Sequence, residues 1–135
     1  MAEPTHNLLN LEEPDAYYCA IRQYYVGHHE MMVQATHELT KERIYIVFNH
    51  VYCFSGILGW KSASLRQASE EEYLQFMHTM MPNSTISKAE LLDEIRFGHL
   101  YIFEAEIGPV KVVAVSVGKF NSDDAMFKHL DHDNT

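Results

Sequence analysis

The chain has 135 residues, 47% hydrophobic and 21% charged, which fits one domain with one core. Ten basic residues against nineteen acidic ones leave a formal charge of −9. That balance excludes generic binding to phosphate backbones, which needs a basic face.

The N-terminus lacks the basic start and apolar run of a secretory signal. Residues 1–13 are expected to be a flexible N-terminal arm tacked on by Leu8, Leu9 and Leu11, residues 14–130 a single domain, and 131–135 a frayed tail. Asp15 stands as an N-cap before the apolar positions Tyr17, Ile21, Tyr24, His28, Met32, Ala35 and Leu39. Steps of three and four predict one long helix over about 16–40. Gly27 falls in its middle, at a cost of about 1 kcal/mol against Ala, and marks a bend or a close backbone approach.

Residues 43–60 are the most apolar stretch, but Asn49, His50 and Ser55 make it a poor bilayer span. Its β-branched and aromatic residues favour strands. A hairpin turn at Asn49-His50, one continuous strand and a buried helix all fit the pattern. Ser69 with Glu72, and Ser87 with Glu90, match capping boxes, which predict one helix ending near Met80 and another over 88–97 stopped by Gly98. Residues 99–118 predict a hairpin with a two-residue Gly108-Pro109 loop, setting Glu106 opposite Lys111 and Phe103 opposite Ala114. Its inward face reads Tyr101, Phe103, Ala105, Ile107, Val110, Val112, Ala114 and Ser116. A short helix capped by Ser122 closes the chain. The expected fold is a single α+β domain: an antiparallel sheet of about three to four strands packed against a long N-terminal helix and two or three shorter helices.

Nine histidines raise the question of a metal, yet no pair has the i, i+4 spacing that gives two ligands on one helix face. The segment "HHEMMV" (28–33) has Val33 where HExxH needs its second histidine, and His129, Asp131 and His132 sit on the tail. No metal, cofactor or catalytic residue is therefore assigned. His50 and Cys53 as a nucleophilic pair would need an exposed thiol in an electropositive setting. Cys19 and Cys53 instead sit in apolar surroundings without a Cys-x-x-Cys spacing, which points to free thiols in a reducing compartment and a cytoplasmic protein.

The remaining signal is the broad helix face carrying Tyr24, Tyr25, His28, His29 and Met32, with Trp60 as a second anchor. Tyr, His and Met join an apolar body to a polar or adaptable end and suit interfaces. These residues imply a small acidic, non-enzymatic binding protein: an adaptor, inhibitor or regulator acting through protein contacts. The expected partner is a basic nucleic-acid-binding or defence protein, or a second copy in a homodimer, with no direct nucleic-acid binding and no membrane. The alternatives are a small-molecule binder or enzyme with a pocket around 24–29, and an acidic mimic of nucleic acid.

Overall fold

A computed structural model describes residues 7–25, 29–80, 96 and 98–121. The segments 88–95 and 122–135, on which two expected helices fall, lie outside the described residues.

The expected α+β architecture is corrected. The described chain is mainly β, a seven-stranded antiparallel sheet that curls into a half-barrel, with one α-helix among the described residues. In chain order the elements are β1 (Tyr17–Tyr25), β2 (Glu30–His37), β3 (Arg43–Ser55), β4 (Gly59–Lys61), β5 (Leu65–Gln67), α1 (Glu70–Met80), β6 (His99–Phe103) and β7 (Val110–Asn121). The sheet order is β4-β1-β2-β3-β7-β6-β5.

The long N-terminal helix does not form. Its residues make the β1–β2 hairpin, with Tyr17 opposite His37 and Tyr25 opposite Glu30. A bulge between Ile21 and Gln23 explains the misleading period. Tyr17, Cys19 and Ile21 face the core at steps of two. The bulge then adds a residue, so Tyr24 pairs with the core-facing Met31. A step of three inside a strand thus imitates a helical step. In β2 the period of two is unbroken through Met31, Val33, Ala35 and His37, all buried.

Residues 43–55 form one continuous strand, neither a hairpin nor a helix. His50, at φ 52°, bends β3, and a bulge follows between Val51 and Cys53. The hairpin of β6 and β7 exists, but its register differs from the expected one by four residues. Phe103 faces Val110, and the loop is 104–109. Glu104 is pulled out of the ladder: its N–H donates to the Ser64 carbonyl (2.9 Å) and its carboxylate pairs with Arg66. Because the shift is even, Tyr101, Phe103, Val110, Val112 and Ala114 still face inward, whereas Ile107 falls in the loop, 77% exposed, and Ser116 is exposed as well.

Every strand contributes to the main core, which holds Cys19, Val33, Ile46, Phe48, Trp60 and Leu65 with the inward residues of β6 and β7. Leu9 and Leu11 join it. On the outer face α1 packs Tyr73, Leu74, Phe76 and Met77 over Leu100, Ile102 and Val113. A smaller outer cluster unites Met32, Tyr45 and Val47 with Phe120.

The two sheet edges are neighbours in sequence. Only residues 62–64 separate β4, at one edge, from β5, at the other. Four Cα steps reach at most about 14 Å, so the edges must approach at this corner, which makes the sheet curl.

Candidate functional site

Among the described residues the curl leaves an opening beside β7. β6 pairs with β7 only from Val110 to Ala114, whereas β7 runs on to Asn121 with β3 alone beside it among the described residues. Beside this half of β7 lies a cleft of about 510 Å³. Ser116, Val117 and Lys119 form one wall and Gln67 and Tyr101 the other. Leu8, Leu9 and Asn10 cover one side, held by the Leu8 N–H donating to the Leu65 carbonyl at 2.6 Å.

The polar groups of the cleft are ordered by neighbours. Asn49, opposite Ser116 in register, donates from Nδ2 to Ser116 Oγ at 3.1 Å. Gln67 Nε2 lies 3.1 Å from His99 Nδ1. The His99 ring meets Tyr101 edge-on at 6.0 Å. Burial pushes the Tyr101 phenol up, so it remains a neutral hydroxyl at physiological pH. Lys119 is exposed, brings the one charge among the lining residues, and has no carboxylate partner among the described residues. The cleft thus offers donors, acceptors, one cation and the apolar surface of Leu8, Leu9 and Val117.

The residues singled out in the sequence are dispersed. Tyr24 is 46% exposed near the end of β1, opposite Met31, its hydroxyl 3.4 Å from His29 Nδ1. His29 is exposed at φ 52°. Tyr25 ends β1 opposite Glu30, and His28 lies outside the described residues. Met32 is buried in the outer cluster, and Trp60, 1% exposed, packs 4.9 Å from Phe103 in the main core. Tyr24 and His29 meet; Met32 and Trp60 belong to other parts of the molecule. The cleft residues went unnoticed because they come from the arm, β5, β6 and β7, which no local spacing connects.

The thiols do not offer a nucleophile. Burial pushes Cys19 up to about 12 and raises Cys53, which packs against the α1 cluster while His50 is exposed. A buried histidine that sequence reading passed over, His37, serves the β2–β3 turn. Its Nδ1 accepts from the N–H groups of Leu39 (3.1 Å) and Thr40 (3.2 Å), and its Nε2 faces Glu13 at 3.5 Å. Acids gather nearby: burial and then Glu42, Glu13 and Glu12 raise the Tyr17 phenol. Among the described residues no group of three or more His, Cys, Asp or Glu side chains is placed to hold a metal, and no helix is long and apolar enough to cross a membrane.

The chain matches no family model, no curated protein and no solved structure.

Proposed function

We propose that the chain is a non-enzymatic binding protein that works through contacts with another protein, and that its contact site is the cleft between β6 and the outer half of β7. The observation that carries this reading is the cleft itself: an opening in an otherwise curled sheet, flanked by hydrogen-bonding side chains with known partners and by the half-buried apolar side chains of Leu8 and Val117. Sites in curled sheets gather where the sheet opens. No activated nucleophile or acid–base pair accompanies it, so binding fits better than turnover. The cytoplasm is the compartment this reading adopts, supported by two free thiols, one fully buried.

A display selection of random peptides, followed by amide chemical-shift mapping of the selected sequences, tests the reading. The expected shifts fall on Gln67, Tyr101 and residues 116–119. Peptides that all map to the Tyr24–His29 hairpin end, or a selection that yields none, would overturn it.

A further inference from the structure

We infer that the cleft takes an extended peptide as an added β-strand, hydrogen-bonded to the free edge of β7, with an acidic side chain beside Lys119. This rests on the reading of the cleft as a protein-contact site and names its mode.

The first support is the edge. Residues 116–119 pair with β3 on one side, and no described residue pairs with the other side of 115–119. In an antiparallel ladder, alternate residues turn their N–H and C=O away from the paired strand. This run therefore presents unsatisfied backbone groups to the cleft, the template that strand addition uses.

The second is the position of the void. Ala114 and Val117 both face the main core although three residues apart, so the alternation of β7 breaks between them and leaves Ser116 exposed. Val117 packs towards the main core, whereas Ser116 is exposed, yet both line the same cleft. A space that touches both runs along the strand's edge, where a neighbouring strand would lie.

The third is size. Strand spacing, sheet thickness and rise assign about 160 Å³ to one residue of a packed strand. A volume of about 510 Å³ thus holds about three residues. β6 already occupies the position beside Ala114, so an added strand meets His99 at one end and runs beside residues 115–119.

Charge sets the preference. Lys119 is the one charged side chain of the lining and has no acidic partner among the described residues. An acidic residue in the middle of the added strand supplies one, against the field of a chain of net charge −9.

The probe is an acetylated, amidated pentapeptide of sequence Thr-Val-Glu-Val-Thr, titrated to about 5 mM, since short peptides bind weakly. Amide shifts and slowed hydrogen exchange are expected at residues 115–119. Two isomers N-methylated at alternate backbone nitrogens decide the mode, because an added strand uses one of its own edges. One isomer is expected to lose affinity about tenfold or more, and the other to bind as the parent does. In Lys119→Glu the parent weakens about tenfold, and a pentapeptide with central Lys in place of Glu recovers the loss. Equal binding of both N-methyl isomers at the cleft overturns strand addition while leaving the contact site intact. The absence of any shift at residues 115–119 overturns strand addition outright, and with an empty display selection it removes both.

Discussion

Ser62 carries more strain than any other described serine, because it turns the chain from one sheet edge to the other at φ 106°. A β-carbon at such a backbone angle costs about 1–3 kcal/mol. The side chain offsets part of that: its hydroxyl donates to Asp15 Oδ1 at 2.9 Å and accepts from the Ser64 N–H at 3.1 Å. Its own N–H donates to the Tyr17 carbonyl at 2.8 Å. Two substitutions separate the effects. Ser62→Ala keeps the strain and loses both hydroxyl bonds, and should cost about 2 kcal/mol. Ser62→Gly loses the same bonds but removes the strain, so it should be the more stable of the two by about 1 kcal/mol. Urea midpoints at constant m-value give the ranking; Gly at or below Ala would mean that the corner is not strained.

At the scale of single elements, legibility depended on how local each signal is. The Ser69–Glu72 capping box is four contiguous residues, and it forms: the Glu72 N–H donates to Ser69 Oγ and the Ser69 N–H to Glu72 Oε1, both at 3.2 Å. The β6–β7 hairpin showed the inward residues of its paired segment because an even register shift preserves them, but not the exposure of Ile107 and Ser116, and its register depended on Ser64 and Arg66, some forty residues away. The β1–β2 hairpin was hidden by one bulged residue, and the cleft by having its walls on four separate segments. Glu72 shows how a local signal gains a distant partner. Arg66, on β5, donates to both of its carboxylate oxygens at 3.0 Å, tying the start of α1 to the sheet. The Arg66 hydrogen bonds, together with the Ser69 N–H, hold its carboxyl down at about 2, below the ordinary 4.5. A carboxyl whose folded pKa lies below its unfolded one stabilises the fold above the unfolded value, and the benefit disappears as pH falls towards the folded one. Stability should therefore decline between about pH 5 and pH 2 more steeply in the wild type than in Glu72→Gln. Because Glu72 is 43% exposed, salt should reduce the difference. Parallel pH profiles of the urea midpoint would count against the Arg66–Glu72 clamp.

At the scale of the whole molecule, the corner of residues 62–64 and the tryptophan beside it close the curl. Trp60, on β4, stands opposite Cys19 of β1, and its ring lies 4.9 Å from Phe103, which pairs with Leu65 of β5. One side chain therefore joins both edges of the sheet. It is 1% exposed, yet its indole Nε1 has no hydrogen-bond partner among the described residues. Two opposing quantities then set the cost of replacing it. An unsatisfied buried donor costs about 1–3 kcal/mol, which Trp60→Phe would recover. The smaller ring loses buried area and leaves a cavity, at a comparable about 1–3 kcal/mol. Trp60→Phe should thus fall within about 1 kcal/mol of the wild type, while Trp60→Ala, which recovers the same donor but opens the whole edge-to-edge gap, should cost about 3–5 kcal/mol. That loss is a large part of the about 5–15 kcal/mol a domain has, so the Ala variant is best measured at low temperature or with an osmolyte. Circular dichroism in urea reads both variants, since the chain has a single tryptophan and fluorescence is lost with it. A Phe variant as damaged as the Ala variant would mean that the indole N–H is bonded after all and that polarity, not volume, holds the two edges together.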